Sequence, residues 1–469
     1  MRQVIYWSLD GNIPLLRRPP ETNINVAKVV TESDIRPLFR AEVSRLKEYM
    51  RRKYGSTAKA LMPRGISVVS QVKDYLDDMK SIYADGGLYC QIFFNPVELK
   101  WDIRLSKVGA LRAFIEKAIS FGYLWKNTIT KGVYKITDFE KKYLSGLSNE
   151  FIILSPGSHI IGLGLLKGDR VIVIKKWLKP PQKVVDEKST WKDFFEANSI
   201  EIEHKVYEGV NLIMKFFNKM KGKRKFIVTF SGGKDSSVVL SLATQAKIDF
   251  TALFNDTGLE HRETIAIVKE LTNKLGVSLD IIEAPGNFYR EVLVKGPPAR
   301  DYRWCTDYLK INPSKAYFEK KGPAVNIVGL RRVESLSRSR LSLVFKQSRR
   351  PDIIGLAPIL KWNGLHIWSY IATRRLPYNP LYLVGFERIG CYMCPSANLS
   401  ELHFTRQVHQ NLWSKWSFVL NEIQHRIKVN EKWQKYCLWR WKGLAVKKRE
   451  LCKAVGDMSL FKIYEYRAT

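Results

Sequence analysis

Cysteine and long apolar runs are both scarce in this sequence. Its 469 residues include six cysteines, most of them scattered, and so few do not make a disulfide framework in a chain of this length. In a reducing compartment these thiols would be free for metal or redox chemistry. The sequence has no run of about 18 apolar residues, and residues 1–7 lack the layout of a signal peptide. We therefore expect a soluble cytoplasmic protein that does not enter a membrane.

Acidic residues are few compared with basic ones. The chain has 45 Asp and Glu residues against 78 Lys and Arg residues, which gives a formal net charge of +33 at pH 7. Such an excess raises the local concentration of polyanions, so nucleic acid, as tRNA or rRNA, is the expected partner. A solvated basic surface is the alternative, and an anionic membrane is a weaker one. The composition does not predict the oligomeric state.

Internal repeats and low-complexity segments are absent as well. Because 45% of the residues are hydrophobic, the whole chain is expected to fold. Its length exceeds the size at which one core usually keeps growing, which predicts two to four domains. The residue pattern divides the chain into an N-terminal α+β region at 1–125, a β-rich segment at 126–178, a linker and helix at 179–222, an α/β domain at 223–400 and a basic helical tail at 401–469.

The N-terminal region shows no evident chemistry. It mixes short apolar runs with basic helical stretches such as residues 36–53. Residues 6–16 resemble the first knuckle of a zinc ribbon in which Ser8 and Gly11 stand where cysteines would. This resemblance implies that zinc binding has been lost there.

A β-rich pattern begins near residue 150. Strands are predicted at 151–154, 159–165 and 170–174, separated by glycine-bearing turns at 156–158 and 167–169. This arrangement resembles the C-terminal part of a PUA domain, a small RNA-binding barrel, which implies RNA binding; an ordinary hairpin is the alternative. Paired prolines then predict a linker at 177–183, followed by a helix at 190–220.

From residue 223 onward short aliphatic strands alternate with amphipathic helices. This alternation is typical of a parallel α/β sheet. The tail after residue 400 is expected to be helical, and core packing is the expected role of most of its tryptophans, with base stacking by Trp439 or Trp441 as the alternative. Strands are predicted at 226–230, 250–254, 279–283, 326–330 and 353–360, with helices starting at Ser236 and Glu263.

A buried strand at 226–230 runs into two glycines and then a helix. This junction places bare backbone amides and the positive end of a helix where a phosphate can bind. The loop matches the SGGxDS motif of the PP-loop ATP pyrophosphatase superfamily. That resemblance implies an adenine nucleotide alpha hydrolase-like domain that binds ATP with Mg²⁺, and catalytic roles for Lys234 and Asp235. As an exposed loop charge, Lys234 is expected to contribute little to stability. The nucleotide-binding loop comprises Ser231, Gly232, Gly233, Lys234, Asp235, Ser236 and Ser237.

Further segments resemble the branch of this superfamily that contains phosphoadenylyl-sulfate (PAPS) reductases. One of them includes Asp256, Thr257 and Gly258, which are expected at the nucleotide, with Asp256 orienting Mg²⁺ or a ribose hydroxyl. Arg331 and Arg332 suit phosphate or sulfate because a guanidinium offers planar paired donors; structural salt bridges are the alternative. The segments lie at 254–260, 303–310, 329–335 and 376–382, near predicted strand ends or on loops, where an open α/β sheet builds its ligand crevice.

Cys391 and Cys394 have the spacing that can hold one metal ion or cluster, and Cys305 lies in another segment of the same branch. We expect the three thiols to converge beside the phosphate loop and to hold a [4Fe–4S] cluster with one open iron. The alternatives are a zinc site completed by a residue such as His403, a redox dithiol, or inert structural cysteines. Cys305 is also expected to be catalytic.

PAPS reductases carry a nucleophilic cysteine in a C-terminal Glu-Cys-Gly-Leu-His motif, which residues 450–456 lack. Together with the positive charge and the PUA-like segment, this favours RNA as the substrate. The expected enzyme adenylates a nucleobase carbonyl, releases pyrophosphate and then accepts sulfur or nitrogen, as in the related tRNA-thiolating sulfurtransferases. One alternative is a reductase of PAPS or adenylyl sulfate that uses Cys305 or Cys452. Another is a non-catalytic RNA-binding protein that retains a nucleotide pocket.

Overall fold

Two antiparallel sheets form the N-terminal region of the chain. The computed structural model describes residues 2–20, 25–124, 132–144, 150–155, 159–177, 184–347 and 350–466. The first sheet has the order β2-β1-β3 and the second the order β4-β5-β6-β7-β8, with two helices packed on it. These elements are β1 (Gln3–Ser8), β2 (Ile13–Leu15), β3 (Val26–Thr31), β4 (Ile35–Pro37), α1 (Arg40–Tyr54), a 3₁₀ turn (Gly55–Lys59), β5 (Val68–Gln71), β6 (Met79–Ala84), β7 (Gly87–Asn95), β8 (Lys100–Leu105) and α2 (Lys107–Ile115).

The segment predicted to resemble a PUA domain forms a third, mixed sheet with the order β10-β13-β12-β11-β9. Strands β11 and β9 are parallel and the other pairs are antiparallel. All three strands expected from the sequence are present, while a PUA barrel stays a prediction. The turn at 156–158 and the linker residues 178–183 lie outside the described residues. The elements are β9 (Phe121–Tyr123), β10 (Gly132–Lys135), α3 (Asp138–Leu144), β11 (Glu150–Leu154), β12 (Ile160–Lys167) and β13 (Arg170–Lys176).

A 30-residue helix, α4 (Trp191–Met220), connects the N-terminal sheets with the α/β domain. Its N-terminus is capped by Thr190, which accepts a hydrogen bond from the backbone of Asp193. Asn198 accepts a hydrogen bond from the Leu16 N–H at 2.7 Å. At the other end Gly209 allows close packing, because a Cβ there would lie 3.2 Å from Leu242. The predicted helix at 190–220 is therefore confirmed.

The α/β domain is built on a six-stranded sheet with the order β16-β15-β14-β17-β19-β18. Every neighbouring pair of strands is parallel except β18 and β19, which are antiparallel. The chain runs outward from β14 to β16 and then returns to β17 on the other side of β14, so a ligand crevice is expected at the carboxyl ends of β14 and β17. The elements are β14 (Lys225–Thr229), α5 (Lys234–Gln245), β15 (Thr251–Asp256), α6 (Arg262–Leu275), β16 (Leu279–Glu283), α7 (Phe288–Lys295), α8 (Trp304–Thr306), a π-helical turn (Asp307–Ile311), α9 (Asn312–Lys321), β17 (Ala324–Ile327), a 3₁₀ turn (Arg332–Glu334), α10 (Leu336–Ser339), β18 (Val344–Gln347), β19 (Arg350–Leu356), α11 (Gly364–Thr373) and a 3₁₀ turn (Pro380–Tyr382).

The C-terminal tail is helical and its tryptophans are buried. Trp416 and Trp439 are fully buried, and Trp416 stacks on Phe288 of α7 with ring centroids 6.3 Å apart. Trp439 and Trp441 therefore serve core packing, and base stacking by them is not supported. No helix in the described ranges is long and apolar enough to cross a membrane. The tail elements are α12 (Leu399–Val408), α13 (Gln410–Arg426), α14 (Lys432–Lys435), a 3₁₀ turn (Leu438–Arg440), α15 (Val446–Ala454) and a 3₁₀ turn (Met458–Leu460).

Replacement of Trp416 by alanine tests whether the tail and the α/β domain share one core. We expect Trp416→Ala to lower the free energy of unfolding by about 3–5 kcal/mol, because it leaves a cavity against Phe288 and Trp439. Phe418 lies on the same helix and is 66% exposed, so Phe418→Ala should change the free energy of unfolding by less than about 0.5 kcal/mol. Urea unfolding followed by circular dichroism measures both values. Equal effects would contradict a shared core.

Candidate functional site

The phosphate loop leaves β14 and enters α5 through Gly232 and Gly233. Gly232 has φ +70°, and a Cβ there would lie 3.0 Å from Cγ2 and 3.2 Å from the carbonyl oxygen of Thr264. Only glycine fits this position without strain. Gly233 precedes the first turn of α5, so the loop amides lie at the positive end of a helix. The strand, loop and helix expected from the sequence are all present.

Two serine hydroxyls brace this loop from inside. Ser236 Oγ donates to the Gly233 carbonyl at 2.9 Å and lies 3.2 Å from the Ser231 N–H, which donates to it. Ser237 Oγ donates to the same carbonyl at 3.1 Å. Both side chains are buried. The hydroxyls therefore set the loop conformation, and the backbone supplies the surface that a phosphate would contact.

A chain of buried charges lies beneath the loop. Lys234 Nζ is 3.0 Å from Asp235 Oδ2, and Arg331 Nε is 2.7 Å from Asp235 Oδ1, an ion pair without hydrogen-bond alignment. Burial alone would raise the pKa of Asp235, but Arg331 and Lys234 outweigh it and hold the pKa below its ordinary value. Asp235 is therefore ionised and forms ion pairs with two cations of the protein, Lys234 and Arg331.

Lys234 is buried, so the expectation of an exposed loop charge is wrong. Its ammonium lies 5.4 Å from the ring centroid of Tyr382, whose hydroxyl accepts the Lys234 backbone N–H at 3.1 Å. The loop after β17 packs directly on this turn, because a Cβ at Gly329 would lie 2.9 Å from the Asp235 backbone. Residues distant in sequence thus enclose the side chain.

The two arginines of the predicted phosphate-binding pair have separate roles. Arg331 is buried and also pairs with Asp34 of the N-terminal region. Arg332 Nη2 donates to the Leu341 carbonyl at 3.0 Å. Both guanidiniums therefore hold protein groups, which favours the structural alternative over a paired anion clamp.

Asp256, Thr257 and Gly258 form a turn at the end of β15. Asp256 Oδ1 accepts the Gly258 N–H at 2.8 Å, and Thr257 Oγ1 donates to Glu260 at 2.7 Å. Burial raises the pKa of Glu260, and the neighbouring Asp256 adds to this effect. The turn offers adjacent carboxylates, an oxygen-rich set suited to Mg²⁺.

Cys305, Cys391 and Cys394 all line one cavity of about 380 Å³. The Cys394 N–H donates to the Cys391 carbonyl at 3.0 Å, which closes a tight turn between the two cysteines. Cys391 is joined to Glu260 by a β-bridge, and its Sγ lies 3.6 Å from Thr257 Oγ1. Burial raises the pKa of Cys391 to about 11 and also raises that of Cys305. His403, the proposed additional zinc ligand, is not among the residues that line this cavity.

The three sulfurs are not packed as tightly as one ion would require. Among the described residues, the three Sγ atoms do not all lie within 4.8 Å of one another. Zinc–sulfur bonds of about 2.3 Å in a tetrahedron place sulfurs about 3.8 Å apart. This spacing does not match a single zinc ion held by all three thiolates.

Arginines hold the turn that carries these cysteines. Arg300 donates to the carbonyls of Pro395 and Ala397 at 2.9 and 2.8 Å, and Arg303 donates to Ser396 Oγ at 2.6 Å. Burial, with Arg440 nearby, lowers the pKa of Arg300 to about 10. Arg303 itself lines the cavity, and Arg300 holds the backbone of the turn that carries Cys394.

The first turn of α6 separates the cysteine cavity from the phosphate loop. His261, immediately before this helix, lines the cavity, while Thr264 contacts Gly232 and accepts a hydrogen bond from Asn379. The three cysteines line that one cavity, while their convergence on one metal centre stays a prediction. Sequence reasoning missed Asp34, which carries no motif, and the contact of Tyr382, which lay in a segment assigned to the branch.

Replacement of Lys234 tests the buried charge chain. We expect Lys234→Ala to weaken ATP binding and also to lower the free energy of unfolding by about 1–3 kcal/mol, because Asp235 would lose one of its two cationic partners. Titration calorimetry measures the affinity and urea unfolding the stability. Lys223→Ala, at an exposed position just before β14, is the matched control and should leave both values unchanged. Unchanged ATP affinity in Lys234→Ala would refute the loop assignment.

Glu401 gives the site a pH-dependent stability. Burial, reinforced by Asp78, raises the pKa of Glu401 to about 7. The folded state then keeps a proton that the unfolded chain, with a carboxyl pKa of about 4.3, has already lost. The free energy of unfolding therefore falls as pH rises through this window, by on the order of 3 kcal/mol.

Glu401→Gln should remove that dependence. From about pH 5 to about pH 8 the free energy of unfolding should therefore fall less in the variant than in the wild type. Urea unfolding at both values measures the difference. Glu422→Gln, at an exposed position on α13, is the control and should follow the wild type. Parallel profiles for Glu401→Gln and the wild type would contradict the assignment.

Three comparisons relate the chain to known proteins. The family model of the phosphoadenosine phosphosulfate reductase domain matches residues 225–397. An uncharacterized protein of Methanocaldococcus jannaschii is 29% identical over 472 residues, covering 93% of this chain and 96% of that protein. The adenosine 5'-phosphosulfate reductase of Staphylococcus epidermidis is 30% identical over 177 residues, covering 36% of this chain and 70% of the reductase. The crystal structure of a phosphoadenylyl-sulfate reductase from Candida auris, in a phosphate complex, is 20% identical and covers 41% of this chain and 95% of that chain, with a TM-score of 0.34.

Proposed function

This chain belongs, through residues 225–397, to the phosphoadenosine phosphosulfate reductase domain family of the PP-loop superfamily, and from this premise we propose that it is an ATP-dependent enzyme that adenylates a nucleobase carbonyl of RNA and then thiolates the base. The observation that carries the proposal is the arrangement of two sites. A glycine loop at a helix N-terminus and a cavity lined by three cysteines lie on either side of the first turn of α6.

The first step is adenylate transfer. The carbonyl oxygen of the base attacks the α-phosphorus of ATP, the bond to the β-phosphate oxygen breaks, and pyrophosphate leaves. The amides around Gly232 and Gly233 would stabilise the charge that develops on pyrophosphate. Mg²⁺ neutralises phosphate charge when bound, and Asp256 is the residue proposed to hold it. Lys234 and Asp235 act by fixing the loop, since their side chains pair with each other.

The cysteine cavity is proposed to serve the second step. Cys305, Cys391 and Cys394 would hold an iron–sulfur cluster, whose three-cysteine ligation leaves one iron open for a sulfur atom. Among the described residues the three sulfurs do not all lie within 4.8 Å of one another, which argues against a single zinc ion held by all three. Arg300, Arg303 and the nearby Lys310 would offset the negative charge of a thiolate-bound cluster. A hydrosulfide ion, supplied as a separate co-reactant, would then attack the adenylated ring carbon. The bond from this carbon to the adenylate oxygen would break, AMP would leave, and the sulfur proton would pass to the ring nitrogen, which gives the thiocarbonyl.

RNA is proposed as the substrate because the chain is strongly basic and carries a separate β-rich module. The net charge of +33 would attract a phosphate backbone. The sheet of β9 to β13 is proposed as the PUA-like RNA-binding segment, and the bound RNA as tRNA or rRNA. Cytoplasmic localisation follows as part of the same proposal.

A reductase of adenylyl sulfate or PAPS is the second candidate. It is favoured by the similarity to adenosine 5'-phosphosulfate reductases. Of the two thiols considered for it, Cys452 is fully buried in the tail core, which disfavours it as the nucleophile. Cys305 is the remaining nucleophile because it lines the cavity. A non-catalytic RNA-binding role is the third candidate, and release of pyrophosphate distinguishes it from the first.

The decisive experiment separates adenylation from sulfur transfer. We expect RNA-dependent release of pyrophosphate from ATP in the wild type and in Cys391→Ala. After anaerobic purification only the wild type should contain iron with acid-labile sulfide, and only it should thiolate RNA, because Cys391 is proposed as a cluster ligand. Cys90→Ala, a buried cysteine in the N-terminal core, is the control and should behave as wild type.

Other outcomes would redirect or remove the proposal. Release of sulfite from adenylyl sulfate, lost in Cys305→Ala, would establish the reductase instead. Absence of pyrophosphate release with any RNA would favour the non-catalytic role. Stoichiometric zinc at the cysteines, without iron, would exclude the sulfur-carrying cluster.

A further inference from the structure

His261, Glu263 and His409 form a cluster that the proposed reaction does not use; His261 is buried, and the other two side chains are partly buried. His261 and Glu263 lie at the start of α6, and His409 lies at the corner between α12 and α13. One potential ligand atom from each residue lies within 4.8 Å of the other two. Two elements from different parts of the chain therefore converge on one point.

Polar atoms in this cluster are buried without a hydrogen-bond partner. They include Nδ1 of His261, Oε2 of Glu263 and Nε2 of His409. His261 as a whole is 2% exposed. A buried polar atom without a partner typically costs about 1–3 kcal/mol. Orphan atoms on three neighbouring side chains therefore indicate a shared partner.

A protonated histidine paired with Glu263 does not explain the cluster. His409 Nε2 lies 3.5 Å from Glu263 Oε1, which is an ion-pair distance without a hydrogen bond. Imidazole nitrogens and a carboxylate oxygen are atoms that donate electron pairs to a metal ion.

The spacing suits a tetrahedral ion. Metal–ligand bonds of about 2.0–2.1 Å in a tetrahedron place neighbouring ligand atoms about 3.3 Å apart. The 3.5 Å separation between His409 Nε2 and Glu263 Oε1 is close to this value. Two histidines and a glutamate are also a ligand set that zinc uses with a fourth position open. We propose that His261, Glu263 and His409 bind a divalent zinc-type cation at a site distinct from the three cysteines.

Such an ion would connect the tail to the phosphate loop. His409 precedes α13, whose Trp416 anchors the tail core. The next residue after Glu263 is Thr264, against which Gly232 packs. The cation would therefore fix the turn of α6 that supports the loop. This inference is independent of the proposed RNA chemistry, because it concerns metal binding alone.

Titration of the full chain with zinc tests the site. In a Cys391→Ala background, which weakens any cysteine site, we expect one equivalent of Zn²⁺ by calorimetry. His261→Ala or His409→Ala should weaken binding by more than about 100-fold, since even second-shell partners of metal ligands are worth about 10–100-fold. His403→Ala is the matched control, because His403 lies on α12 outside the cluster and contacts Gln407. Its zinc affinity should equal that of the background.

Cobalt distinguishes the two kinds of site in the wild-type chain. Co²⁺ at the histidines should give d–d absorption without the sulfur-to-metal charge-transfer band that thiolate ligands produce. Glu263→Gln, which retains the side-chain size, should weaken binding by at least about 10-fold while leaving the circular dichroism spectrum unchanged. Zinc affinity equal to that of the background in folded Glu263→Gln and folded His409→Ala would overturn the proposal. So would the absence of zinc binding in the Cys391→Ala background.

Discussion

A buried arginine between two carboxylates is the constraint on which the site depends. Arg331 is 2% exposed and pairs with Asp34 of the N-terminal region and with Asp235 of the phosphate loop. A charge removed from water is stable only when it is paired, and loss of one partner from such a pair costs about 3–5 kcal/mol. The loop conformation is therefore tied to a residue 297 positions away from Arg331 in the sequence.

Side chains of the N-terminal region also contact α12 and Glu387, two other parts of the site. Asp77 accepts the backbone N–H groups of Leu399 and Ser400 at 2.7 and 3.0 Å and so caps α12. Arg36 and Lys80 pair with Glu387, and although burial opposes it, these cations lower the pKa of Glu387 to about 2. Glu387 also lines the cysteine cavity. Side chains from outside residues 225–397 thus position both the loop and the cavity.

The local sequence pattern was sufficient to predict most strands of the α/β domain and its phosphate loop. The strand at 279–283 was predicted with the observed bounds, and the loop from Ser231 to Ser237 has the strand and helix expected on either side. Such features depend on residue order over a few turns, which the sequence displays directly. The exposure of Lys234 was predicted wrongly because Tyr382 and Asp235 enclose its ammonium, and contacts of this kind are formed only by the complete fold.

The difference between local sequence pattern and contacts of the complete fold also explains why the convergence of the cysteines was predicted and the histidine cluster was not. The cysteines lie in motif segments, so their convergence could be inferred from a family resemblance. His409 lies in a tail with no motif, immediately before α13, whose Trp416 packs on Phe288 of α7. The helical tail, predicted as a separate segment, contributes to the geometry of the site. Its His409 Nε2 lies 3.5 Å from Glu263 Oε1, so a tail side chain stands beside the turn of α6 that supports the phosphate loop.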